Sequence, residues 1–181
     1  MIFRAIEFAA RAHRDHYRKG TRIPYLIHPL NVAKILIEYG CPEEVVVAGI
    51  LHDTTEDTPV TSGEIREEFG DKVASLVAAA SEPDKSDTWE NRKNHTIDYL
   101  KTAPMDVLIL SCADKLDNVK SIIEDVEKDG ESVWGRFRRP KDDQEWYYRS
   151  LAEIFNSRAG ESEAATSLFR RYALEVKILF G

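Results

Sequence analysis

The sequence predicts an all-α protein, on three observations. Apolar residues recur at spacings of three and four through most of the chain, no segment alternates over several residues as a half-buried strand does, and Gly or Pro punctuates the periodic runs. The one run that a buried strand would also fit, Val45–Leu51, opens on Pro42-Glu43-Glu44. Acidic residues there suit a helix N-terminus. At 181 residues, with 43% apolar residues, the chain reads as a single domain over 1–181 with a real core. A net charge of −7 argues against a general DNA or RNA binder, yet leaves room for a phosphorylated small molecule in a local basic pocket. Cys41 and Cys112 form no CxxC pattern and read as reduced thiols in or near the core. With no signal-peptide pattern and no apolar run of membrane-spanning length, we expect a cytoplasmic protein with no membrane partner. Oligomeric state is open, and a homo-oligomer is compatible.

The first helix is expected over 2–17, with Ile2, Ile6, Ala9, His13 and His16 on one face. The two histidines read either as an i, i+3 metal pair or as one core residue and one pocket-edge residue. Gly20 and Pro24 mark a loop, Tyr17 to Tyr25, whose Arg18, Lys19 and Arg22 can hold phosphates while its tyrosines stack on a base; a solvated basic loop is the plain alternative. His28-Pro29 opens a helix to about Tyr39, stopped by Gly40, with Val32, Ala33, Leu36 and Ile37 inward. Pro42 starts the next, which runs to Thr58-Pro59. Thr61 and Glu64 fit a capping box, and Asp71 is expected to cap a further helix. Residues 81–88 are turn formers and a candidate lid. Further helices are expected from Trp89 to about Lys101, Met105 to Lys128, Gln144 to about Asn156, and Ser162 to Phe180. A second basic, aromatic cluster spans Trp134 to Lys141.

The chemistry concentrates at Leu51-His52-Asp53-Thr54-Thr55-Glu56-Asp57-Thr58. On a helix, His52 and Glu56 share a face, as do Asp53 and Asp57. Such polar groups at the end of an apolar helix are costly in a dry core without a partner. A metal with an activated water would satisfy them. Asp114 repeats the theme, following the apolar run Val107–Ala113 and continued by Asn118 and Ser121 at helical spacing.

The ordered set His28, His52-Asp53, Asp114 resembles the H…HD…D pattern of HD-domain metal-dependent phosphohydrolases. Arg18-Lys19 followed by Pro24-Tyr25-Leu26-Ile27-His28-Pro29 is similar to the RK…PYxxHP of the RelA/SpoT-type hydrolase domain. Residues 51–58 are similar to its LHDxxEDT, and Ala113–Asn118 to its ADKLxN. The resemblance covers roughly the first two-thirds of the chain and points to small alarmone hydrolases, including the metazoan SpoT-like homologues. It implies an HD-domain helical bundle in which His28, His52, Asp53 and Asp114 hold one divalent metal, usually Mn²⁺. It further implies Glu56 and Asp57 as the acidic pair that activates water, and Arg18, Lys19, Asn118 and Tyr147 as substrate-binding residues. The implied reaction is hydrolysis of guanosine-3′,5′-bis(diphosphate), ppGpp, to GDP and pyrophosphate. The chain departs from the pattern in an extra residue between Lys19 and Pro24, in Asp117 where the family usually has His or Tyr, and in Lys120 where it usually has Arg.

Two other functions fit the same residues. One is a phosphohydrolase acting on another nucleotide, such as a nucleotidase or an NADPH 2′-phosphatase. The other is a non-catalytic nucleotide sensor, although a pure binder would not need the Glu56-Asp57 pair.

Overall fold

The computed structural model describes residues 1–81 and 86–181. Its helices are α1 (Ile2–Ala12), α2 (Ile27–Glu38), α3 (Glu43–Leu51), α4 (Thr54–Asp57), α5 (Ser62–Phe69), α6 (Asp71–Ala80), α7 (Trp89–Leu100), α8 (Met105–Asp129), α9 (Lys141–Ser157) and α10 (Glu163–Phe180). A 3₁₀ segment, Gly130–Arg136, follows α8. No strand occurs among the described residues; the only β-type pairing there is an isolated bridge between Tyr17 and Pro24. Half of the candidate lid at 81–88, residues 82–85, lies outside the described residues. No helix among the described residues is long and apolar enough to cross a membrane.

α3 is the centre of the bundle. Every residue from Val45 to Leu51 is buried, so neighbours must cover it on all sides. α1, α2, α6 and α8 pack on it, and α10 closes the far side of α8 together with α9. Gly49 permits the close approach of α2. A Cβ there would sit 2.5 Å from Leu36 Cδ1 and 3.3 Å from Val32 Cγ1. Gly49→Ala should therefore overpack this seam and destabilise the fold by about 1–3 kcal/mol. A thermal melt checks this, since an unchanged Tm would show that the α2–α3 seam is looser than its distances imply.

Several helix ends differ from the sequence expectation for local reasons. α1 stops at Ala12 rather than 17, and Asp15 adopts a left-handed φ of 64°. The chain then turns back: Tyr25 N–H donates to the His16 carbonyl at 2.8 Å and Arg18 N–H to the Ile23 carbonyl at 2.9 Å. These bonds hold the basic loop as a pinned hairpin-like turn rather than a loose connection. His28 and Pro29 lie inside the first turn of α2, whose N-cap is Leu26. Proline is tolerated there because its absent N–H has no helical acceptor. The expected single helix from Pro42 to Thr58 is interrupted: α3 ends at Leu51 and α4 begins at Thr54. Gly70, not Asp71, caps α6, and α9 starts earlier than expected, at Lys141. The Thr61/Glu64 capping box forms in full, and Ser162 Oγ accepts from Ala165 N–H.

Candidate metal centre

Three pieces of chain deliver the polar cluster. α2 supplies His28 from its first turn, the break between α3 and α4 supplies His52 and Asp53, and the middle of α8 supplies Asp114. Because α3 is buried on all sides, the residue that follows it emerges inside the bundle. His28 and His52 are each only 2% exposed, and Asp53 and Asp114 are 17% and 13% exposed at the side chain.

The hydrogen bonds orient both imidazoles. His52 Nδ1 lies 2.8 Å from the Gly49 carbonyl and His28 Nδ1 lies 2.7 Å from Asp117 Oδ2. A carbonyl and a carboxylate only accept, so each Nδ1 carries the proton. Each Nε2 therefore turns toward the carboxylates. His28 Nε2 is 3.2 Å from Asp114 Oδ1 and 3.6 Å from Asp53 Oδ2. His52 Nε2 is 3.1 Å from Asp53 Oδ2 and 3.8 Å from Asp114 Oδ1, and it is buried without a hydrogen-bond partner. Neutral imidazole nitrogens and carboxylate oxygens meeting this way are lone pairs facing lone pairs, which only a shared cation or added protons can relieve.

A divalent ion fits this donor set. Ligand atoms from His28, His52 and Asp114 all lie within 4.8 Å of one another, and Asp53 Oδ2 stands beside them. Donors about 2.2 Å from one ion and at right angles sit about 3.1 Å apart, matching the two shortest spacings. The electrostatics point the same way. Burial alone would lower the pKa of His28, but hydrogen bonds to Asp114 and Asp117 outweigh it and raise it. For His52, too, burial is opposed and exceeded, here by the negative charges of Asp53 and Asp114. Burial would raise the carboxyl pKa of Asp53, yet His52 holds it below the usual range. Asp114 is likewise depressed against burial, chiefly by Lys115. The pocket stabilises positive charge between its acids.

Neighbouring groups hold these carboxylates. Tyr25 Oη donates to Asp53 Oδ2 at 2.5 Å, Lys115 Nζ is 2.7 Å from Asp114 Oδ2, and Asn118 Nδ2 donates to Asp114 Oδ1 at 2.7 Å. Arg18 then donates to Asn118 Oδ1 at 3.0 Å. A chain of bonds thus runs from the basic loop into the cluster.

The cluster opens into a cleft of about 400 Å³. Asp53, Asp114, Glu56 and Asp57 line it, with Lys19, Asn118 and Tyr147 also in its wall. α4 carries the acidic pair, and Asp57 N–H donates to the Asp53 carbonyl at 2.9 Å, which ties α4 to the cluster. A second cavity of about 460 Å³ adjoins it, with Arg18 in its lining; Lys19, Tyr25, His28 and Asn118 belong to both. The sequence-predicted residues are therefore brought together around one centre and its two cavities.

Some of the lining was missed by sequence reasoning. Arg92, Lys93, Arg138 and Arg139 also line the cleft, from α7 and from the segment before α9. The Trp134–Lys141 cluster signalled two of them; nothing in the spacing tied Arg92 and Lys93 to Asp114. Tyr25, Lys115 and Asp117 have no spacing signal for their partners either. Of the histidine pair in the first segment, His13 is buried, its ring centroid 4.9 Å from that of Tyr25, as the core reading of one of them expects, and His16 is exposed to solvent.

The HD domain family model matches residues 5–142. The chain belongs to the HD domain family. A protein of Aquifex aeolicus named guanosine-3′,5′-bis(diphosphate) 3′-pyrophosphohydrolase is 45% identical over 123 residues. That match covers 67% of this HD domain chain and 18% of the relative, so the chain spans under a fifth of that protein's length. The human protein named guanosine-3′,5′-bis(diphosphate) 3′-pyrophosphohydrolase MESH1 is 31% identical, over 97% of this chain and 96% of its own. Among solved structures, lmo0812 of Listeria monocytogenes superposes with a TM-score of 0.78 at 44% identity, covering 84% of this chain and 98% of that one. A metazoan ortholog of SpoT, described as hydrolysing ppGpp, superposes with a TM-score of 0.75 at 25% identity, covering 94% and 92%. The helical bundle is thus that of the HD domain, a family of metal-dependent proteins, and His28, His52 and Asp114 form a possible metal site within it.

Proposed function

We propose that this chain is a metal-dependent phosphohydrolase that removes the 3′-diphosphate of ppGpp, releasing GDP and pyrophosphate. The observation that supports it most is the convergence of two Nε2 atoms on Asp53 and Asp114, beside an acidic pair and a basic rim. The names of the Aquifex and human relatives direct the choice of substrate. His28, His52, Asp53 and Asp114 would hold the ion, for which we propose Mn²⁺. When bound, it supplies charge neutralisation at the phosphoryl group and Lewis acidity toward the attacking water.

The remaining work falls to the chain's own groups. Glu56, with Asp57 beside it, accepts the proton as a water oxygen bonds to the phosphorus next to the ribose 3′-oxygen. The O–P bond breaks, the 3′-oxygen takes a proton, and pyrophosphate leaves. Lys19, Arg92, Lys93, Arg138 and Arg139 offset the diphosphate charge from the cleft wall. Arg18, over the Tyr25 ring at 5.9 Å and bonded to Asn118, shapes the adjoining cavity for the nucleoside. Tyr147, under the Lys93 ammonium at 4.8 Å, backs the diphosphate end. In the cell we place this activity in the cytoplasm, where it would draw down the alarmone of the stringent response.

A substrate panel tests the assignment. Purified protein with Mn²⁺ should release pyrophosphate from ppGpp well ahead of phosphate release from NADPH or from nucleoside mono-, di- and triphosphates. Preference for NADPH or a simple nucleotide would keep the hydrolytic site and replace the substrate. Metal binding without turnover of any of them would make the chain a sensor.

A further inference from the structure

We propose that Asp117 is a positioning residue for the metal centre, fixing the ring of His28 and strengthening it as a ligand; this rests on the metal-dependent reading above. Asp117 follows Asp114 by three residues on α8, so both carboxylates project from about the same helix face. His28 lies between them: Nε2 is 3.2 Å from Asp114 Oδ1 and Nδ1 is 2.7 Å from Asp117 Oδ2. Asp117 is 8% exposed and His28 is 2% exposed, so water competes little for that bond. A flip of the ring would put a carbon against the carboxylate, which locks both the orientation and the tautomer.

The two imidazoles are therefore supported differently. The acceptor behind His52 is the neutral Gly49 carbonyl, while the acceptor behind His28 carries a full charge. A carboxylate behind a metal-binding histidine raises the basicity of the ligating nitrogen and adds negative charge near the ion. Nothing in the ligand pattern H…HD…D requires an acid at 117, where the family resemblance leads one to expect His or Tyr.

The test compares wild type with Asp117→Ala and Asp117→Asn, by competition of Mn²⁺ against a chromophoric chelator and by imidazole proton–nitrogen NMR of the Zn²⁺-loaded proteins. In the wild type the His28 Nδ1–H proton should resonate far downfield, as a proton shared with a carboxylate does. Asp117→Ala should lose that resonance and bind Mn²⁺ about 10- to 100-fold more weakly. Asp117→Asn, which keeps an acceptor of the same size, should retain an Nδ1–H resonance, moved upfield, with an intermediate affinity. If Asp117→Ala does not fold, the Asn variant decides alone: wild-type affinity with an unmoved resonance overturns the proposal. A folded Asp117→Ala within twofold of wild type also overturns it while leaving the metal site standing. Wild-type protein that binds neither ion removes the metal reading and this inference together.

Discussion

Asp114→Asn should weaken metal binding by more than about a hundredfold, beyond the range that outer-sphere partners carry, and reduce turnover at ordinary metal concentrations to near background. The substitution keeps the shape of the side chain and its bond with Asn118, but removes the charge that faces His28 at 3.2 Å and Lys115 at 2.7 Å. Lys115 then keeps its charge in the bundle without its anion. Its side chain is 23% exposed, so the cost is discounted from that of a fully buried pair, to about 1–2 kcal/mol. A chain of this size should melt roughly 2–8 °C lower. Chelator competition and a melt check both effects. Near-wild-type affinity in the variant would mean that the ion, if bound, sits elsewhere.

Glu56→Gln separates chemistry from metal binding. Glu56 lies in the cleft wall on α4, past the break that ends α3, and is not among the atoms facing the two Nε2 nitrogens. Loss of a general base costs about 10²- to 10⁴-fold in kcat, so that drop is expected with metal affinity and KM little changed. Asp57→Asn should cost less if Glu56 takes the proton, and the double variant should not exceed the product of the singles, because neighbours serving one step are not additive. Single-turnover kinetics beside metal titration read this directly. A Glu56→Gln enzyme with full kcat would remove the acidic pair from the mechanism.

The legible part of the site was local. His52-Asp53 and Glu56-Asp57 stand close in sequence, and the apolar run before them carries His52 and Asp53 into the bundle, while Glu56 is half-buried and Asp57 exposed at the cleft. Asp114 betrays itself in the same way after Val107–Ala113. The all-α class follows from helical periodicity and survives the shortened α1 and the break before α4. Both differences arise where the chain leaves a helix to aim side chains: Asp15 reverses the chain at φ 64°, and His52-Asp53 turn between two helices. What stayed hidden is long-range. Asp117 meets His28 across 89 residues of chain, and Tyr25 meets Asp53 across 28. Periodicity places a residue on a face but does not name what lies opposite. Arg92 and Lys93 stayed hidden for the same reason, since they stand on a segment that only the packing of α7 beside α9 brings to the cleft.

The most direct measurement is a titration of metal-stripped protein with Mn²⁺, following bound metal and pyrophosphate release from ppGpp in the same samples. The rate should climb in proportion to occupancy and level off at about one ion per chain, with His28, His52, Asp53 and Asp114 as the proposed mononuclear ligand set. Full turnover by the stripped protein, or a saturated site that releases no pyrophosphate, would contradict it.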